Sequence, residues 1–152
     1  MSIFSGDSAA RLLELLGTEL EVFGQMLELT AKQTELIAWD DIDALDESLD
    51  RRQELIEKIN GLHQESDILM QSYISYLDTA GGKNNGSIDY ASAQIRETAA
   101  KCAELNEKNM AAAKEKAEGY KERIGKLSLG RKSMGAYIQG VANTPEMFDK
   151  RT

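Results

Sequence analysis

Proline excludes a chain from long helices, and this sequence of 152 residues holds a single one, Pro145, close to its end. Ahead of it, apolar residues recur in steps of four and three, the spacing that keeps one face of a helix continuously apolar. In the first stretch the seam runs Ala9, Leu13, Leu16, Leu20, Phe23, Leu27, Thr30, Thr34, Ile37. A second stripe, Leu12, Leu15, Val22, Met26, Leu29 and Leu36, widens it, so this helix should touch two neighbours. Trp39-Asp40-Asp41 interrupts the pattern. An aspartate there can accept the free N–H groups of a new helix, and Asp43, Asp46 and Glu47 suit its positive end. A turn is expected at this point.

The next helix carries Ile42, Leu45, Leu49, Ile56, Ile59, Leu62, Leu69, Tyr73, Tyr76 and Leu77, with Arg51, Arg52, Glu54 and Lys58 assigned to its polar face, and should end by Asp78. Thr79 to Ser87 is dense in residues that tolerate turn dihedrals and reads as a mobile, replaceable loop. A third helix is expected from a cap at Asp89, with Ala91, Ile95, Thr98, Cys102, Leu105, Asn109, Ala112 and Lys116 on one seam. The fold class is therefore all-α: an elongated antiparallel three-helix bundle over residues 1–129.

Residues 130–152 are expected to form a flexible amphipathic tail for partner binding. Gly119, Gly125, Gly130, Gly135 and Gly140 would each cost a helix interior about 1 kcal/mol relative to alanine. Yet Tyr120, Ile124, Leu127, Arg131, Met134, Ile138 and Val141 keep the four-three spacing, with Tyr137 beside them. A conditional helix that orders on a partner fits this combination, and methionines such as Met134 and Met147 adapt to varied grooves. Packing of the tail on its own bundle is the alternative.

Charge separates the halves. Residues 1–80 hold 17 acidic and 5 basic side chains, residues 81–152 hold 9 and 13, and the whole carries −8. The two halves should attract each other, and net acidity argues against nucleic acid as a partner. Met1 to Asp7 lacks the basic start and apolar run of a signal peptide, and no segment reaches the ~18 apolar residues of a membrane span, so direct membrane insertion is not expected. The lone Cys102 suits a small buried side chain in a reducing cytosol.

Chemistry is sparse. His63 has no glutamate three residues before it to complete a di-iron pair and reads as a lone surface histidine, with phosphotransfer the remote alternative. The acidic run from Asp40 to Asp50 lacks the glycine and terminal glutamate of a calcium loop. No catalytic set, metal site or cofactor is implied. Asn109 sits on the apolar seam; with Asn106 it either fixes helix register or lines a partner groove.

Trp39-Asp40-Asp41-Ile42-Asp43-Ala44-Leu45, then Arg52-Gln53-Glu54-Leu55-Ile56-Glu57-Lys58-Ile59, then Leu105-Asn106-Glu107-Lys108-Asn109 and a late Tyr137-Ile138-Gln139-Gly140 together resemble the FlgN-like flagellar export chaperones. Where that family usually has glycine after the second asparagine, this chain has Met110. The resemblance implies a cytoplasmic chaperone, not an enzyme, that binds hook-filament junction proteins before secretion and presents them to the export gate. By matching position, Tyr120, Ile124, Leu127, Met134, Ile138 and Val141, with Asn106 and Asn109, would contact the client. Tyr137 and Gly140 would meet the export-gate membrane protein. The rival reading is an adaptor bundle that pairs its stripes with a second copy as a homodimer.

Overall fold

The computed structural model describes residues 4–116. They form three helices, α1 (Gly6–Ala38), α2 (Ile42–Leu77) and α3 (Gly86–Lys116). At 33, 36 and 31 residues, these are rods of about 45 to 55 Å. Cross-helix bonds fix the directions. Arg11 near the start of α1 reaches Glu65 near the end of α2, while Gln33 near the end of α1 reaches Ser48 near the start of α2. Asn109 of α3 bonds Thr30 and Thr34 of α1, and Tyr73 of α2 bonds Asp89 of α3. The order is up, down, up, with α1 and α3 parallel.

The wide apolar face of α1 does touch two neighbours: α1 packs along both α2 and α3, and those two approach each other less closely. Leu12, Leu15, Leu16, Val22, Phe23, Met26, Leu36 and Ile37 are its buried apolar residues, so the second stripe apart from half-buried Leu29, with every other step of the first, forms the centre of the face. Leu13, Leu20 and Leu27 lie half-buried at its edge, and Thr34 is exposed.

Each helix end has a local cause. Ser5 caps α1, its hydroxyl accepting the Ser8 N–H at 3.0 Å. The turn at Trp39–Asp41 is where the sequence places it, and Asp41 caps α2 by accepting the Ala44 N–H at 3.2 Å. Asp40 supplies the left-handed residue, φ 58°, that a turn this short requires and that short polar side chains tolerate. Lys116, in the last turn of α3, fastens the corner from outside. Its ammonium donates to the Ala38 carbonyl at 3.2 Å and pairs with Asp40 at 3.2 Å, placing a cation at the negative end of α1.

The third helix starts one turn earlier than expected. Asn85, not Asp89, is its cap: the Asn85 side chain accepts the N–H groups of Ser87 and Ile88 at 3.0 and 3.1 Å. Asp89 instead accepts the Tyr73 hydroxyl at 2.9 Å, and that hydroxyl accepts the Asn85 N–H at 2.7 Å. The loop is correspondingly less replaceable than its composition suggests. A side chain at Gly82 would run into the carbonyl oxygen of Tyr76, whereas Gly81 faces open space.

Among the described residues the core divides in two. The larger, proximal cluster joins Leu12, Leu16, Phe23 and Met26 to Ile56, Ile59, Tyr73, Ile88, Ile95 and Cys102, among others. The smaller, distal cluster holds Leu36, Ile37, Leu45, Leu49, Met110 and Ala113, beside the α1–α2 corner. At roughly 1.5–3 kcal/mol for each large apolar side chain buried, the proximal cluster dominates the hydrophobic stabilisation.

Candidate functional site

What separates the two clusters is a layer of buried polar side chains. Every step of four or three along the true seams meets one here: Thr30 and Gln33 from α1, Ser48 and Arg52 from α2, Asn106 and Asn109 from α3. Arg52 is the centre of the layer. Assigned to the polar face by its charge, it is only 3% exposed, because it continues the seam Leu45, Leu49, Arg52, Ile56, Ile59. Its Nη1 donates to Gln33 Oε1 at 3.0 Å and to Asn106 Oδ1, so one guanidinium joins all three helices. Gln33 in turn donates from Nε2 to Ser48 Oγ at 3.0 Å.

A second set lies one turn further along. Asn109 Nδ2 donates to the Thr30 carbonyl at 3.0 Å, and its Oδ1 accepts the Thr34 hydroxyl at 2.6 Å. The Thr30 hydroxyl returns to the Met26 carbonyl at 2.7 Å. The amide of Asn109 thus reads α1 through a donor and an acceptor at once, which fixes the α1–α3 register as a buried asparagine does in a coiled coil.

The electrostatics follow from burial. Among the described residues no carboxylate lies within salt-bridge distance of the Arg52 guanidinium; its partners are neutral amide oxygens. Desolvation therefore pushes Arg52 down to about 10, with nearby Cys102 acting weakly the other way. Cys102 is 1% exposed, in the core as its sequence position suggests, and burial pushes its thiol up to about 12 against the opposing pull of Arg52. A thiol so held is a packing group and not a nucleophile.

The remaining candidates are distributed as follows. Asn106 and Asn109 are 3% and 1% exposed, so of the two roles open to them in the sequence, the register role has the geometry in this state; neither surface lies open to a partner. Tyr120, Ile124, Leu127, Met134, Ile138 and Val141, with Tyr137 and Gly140, lie outside the described residues. The last described residue of α3, Lys116, lies against the α1–α2 corner. His63 is half-buried within α2. Of the acidic run, Asp41 caps a helix, Asp43 occupies its first turn and Asp40 pairs with Lys116.

Sequence reasoning missed Arg52, Gln33, Ser48 and Glu19 as interior residues, all of them buried. The signal was the spacing itself. Leu15, Glu19, Val22, Met26, Thr30, Gln33, Ile37 is an unbroken four-three series once polar residues are allowed into it. On α3 the buried series is Ile88, Ser92, Ile95, Ala99, Cys102, Asn106, Asn109, Ala113, so Leu105 is half-buried and Ala112 and Lys116 are exposed, contrary to the expected seam.

Outside the core, Trp39 is 63% exposed with the Lys32 ammonium 5.3 Å from its ring centre, and Ile68 and Tyr90 are exposed singly. An open cleft of about 560 Å³ lies between Phe4, Tyr73, Tyr76 and the Lys83–Ser87 loop. Among the described residues no helix is long and apolar enough to cross a membrane.

Fold and site define a helical scaffold protein, one whose interior polar groups hold three long helices in register and whose last described turn delivers the chain to one end. The family model for FlgN protein matches residues 1–137, and the chain belongs to that family. Its members are non-enzymatic flagellar export chaperones for hook-associated proteins, and membership implies binding of such proteins. No curated protein and no solved structure matches this chain. The family match takes in Tyr120, Ile124, Leu127, Met134 and Tyr137, and stops short of Ile138, Gly140 and Val141.

Proposed function

We propose that this protein acts in the cytoplasm, holding hook-filament junction proteins by their amphipathic terminal helices and delivering them to the export gate. The observation that carries this reading is the family match, which runs 21 residues past Lys116, the last described residue of α3, and so takes in Tyr120, Ile124, Leu127, Met134 and Tyr137. In this reading the bundle is a rigid mount. Tyr120, Ile124, Leu127, Met134, Ile138 and Val141 offer the apolar stripe to the client, and Tyr137 with Gly140 meets the gate. Asn106 and Asn109 serve from inside, holding α3 in register against α1 and α2.

Premature self-assembly is the hazard for a protein with amphipathic terminal helices, and an apolar stripe that orders on such a helix covers it without catalysis. The test is a calorimetric titration of the full chain with the C-terminal helical segment of a junction protein, repeated after truncation at Gly130. The expected result is tight binding by the full chain, loss of binding in the truncated one, and an unchanged helical circular dichroism signal. Equal affinity of both forms would overturn the placement of the site in the tail.

A further inference from the structure

The cleft of about 560 Å³ lies at the end of the bundle where α1 and α3, being parallel, both begin. Its size falls within the roughly 300–1,000 Å³ of binding pockets. Three aromatic rings contribute to its lining: the Phe4 ring centre stands 5.2 Å from that of Tyr73 and 6.0 Å from that of Tyr76. The first turns of α1 and α3 and the loop from Lys83 to Asn85 complete it. That loop is pinned to α2 from both sides. The Tyr73 hydroxyl accepts the Asn85 N–H at 2.7 Å, and Gly82 sits against the Tyr76 carbonyl with no room for a side chain. The lining is therefore formed before a partner arrives, which spares the partner the cost of ordering it.

Among the described residues Lys83 is the only charged side chain of the lining, and it is exposed with no ion-pair partner there. The nearby carboxylate of Asp89 is already engaged, accepting the Tyr73 hydroxyl on one oxygen and the Asn84 amide on the other. The positive ends of α1 and α3 add to the lysine's charge, and Asp7 in the first turn of α1 offsets part of it. Pockets for small molecules enclose most of the ligand, whereas this cleft is open and suits a side chain whose own chain continues outside. We propose that the cleft is a docking site for an acidic segment of a partner protein, which lays an apolar side chain on the rings of Phe4, Tyr73 and Tyr76 and brings a neighbouring carboxylate to Lys83. The chemistry is that of an amphipathic anchor: ring faces supply contact area, and the single cation selects the sign of the partner. The proposal is independent of where the client binds.

The test is a nuclear magnetic resonance titration of the isotope-labelled full chain with two capped tetrapeptides, acetyl-Leu-Asp-Phe-Asp-amide and acetyl-Leu-Lys-Phe-Lys-amide. The acidic peptide is expected to shift the amide signals of Gly6, Ala9 and Lys83 to Ser87, and to bind at least about threefold more tightly than the basic one, the scale of an exposed charge pair. Lys83→Glu, a change on an exposed loop residue, should reverse that order. Tyr76→Ala should weaken both peptides about two- to tenfold through lost ring contact. Should Tyr76→Ala not fold, the charge reversal decides alone. No shifts up to about 10 mM acidic peptide, shifts centred elsewhere, or an order of affinities that survives Lys83→Glu would overturn the proposal. Shifts of the same amides with protein concentration, peptide being absent, would give the cleft to a second copy of the chain and overturn it as well.

Discussion

At the scale of single residues, Arg52 and Asn106 depend on each other unequally. Arg52→Met removes a charge from the interior and leaves two amide oxygens, Gln33 Oε1 and Asn106 Oδ1, short of a donor. Asn106→Leu keeps the charge and removes one of its acceptors. A buried donor or acceptor left unsatisfied costs about 1–3 kcal/mol, more when it is charged. Relief of the guanidinium's desolvation offsets part of the first loss and none of the second. Urea denaturation should therefore show Asn106→Leu as the more damaging, by about 2–3 kcal/mol against about 1 kcal/mol or less for Arg52→Met. The reverse order would mean that Arg52 draws its stabilisation from elsewhere. That Arg52 lies inside was present in the spacing of Leu45, Leu49, Ile56 and Ile59 and hidden by residue type. Long charged side chains are almost never fully buried, so chemistry outweighed periodicity, and the reading failed where the protein does something unusual.

At the scale of elements, α1 and the corner after it were legible to within a few residues, because the break at Trp39–Asp41 ends one periodic run and opens another with aspartates. The start of α3 was not. Asn85 and Asp89 are both competent caps by composition, and the choice is made by Tyr73, whose hydroxyl takes the Asn85 N–H and donates to Asp89. No local rule contains that contact. Its consequence is measurable: Asn85→Ala strands the Ser87 and Ile88 N–H groups and should lower stability by about 1 kcal/mol in thermal or urea unfolding. Asp89→Ala, with α3 still capped by Asn85, should act through Tyr73 and Asn84 instead and leave the helical content of the native state unchanged. A larger loss of helix in Asp89→Ala than in Asn85→Ala would restore Asp89 as the cap.

For the whole molecule, the three-helix architecture followed from periodicity, the family from a handful of sequence elements, and the placement of the interior polar layer from neither, since it depends on how three seams face one another. That arrangement also sets how stability responds to alkali. Cys102 is held near 12 by burial against an ordinary thiol value of 9, and Tyr73 near 12 against 10, burial being the first cause again. Both groups keep their protons in the fold after the unfolded chain has lost them. With fewer protons on the unfolded state, stability falls as pH rises, from the unfolded value upward until the folded value is passed. Arg52 works in the opposite sense. Its folded value near 10 lies below its ordinary 12.5, so between those limits the unfolded chain binds more protons and stability is recovered. The thiol begins to titrate first, which leaves pH 9–10 as the window in which Cys102 dominates. There the unfolding free energy should decline by up to about 1.4 kcal/mol per pH unit, the limit for one proton. Cys102→Ala should be slightly less stable at pH 7 through lost packing and should show a nearly flat profile from pH 9 to 10. An undiminished decline in that variant would place the alkaline sensitivity outside the Cys102–Arg52 neighbourhood, with Tyr73→Phe, which removes the second of the two raised values, as the variant that then flattens it.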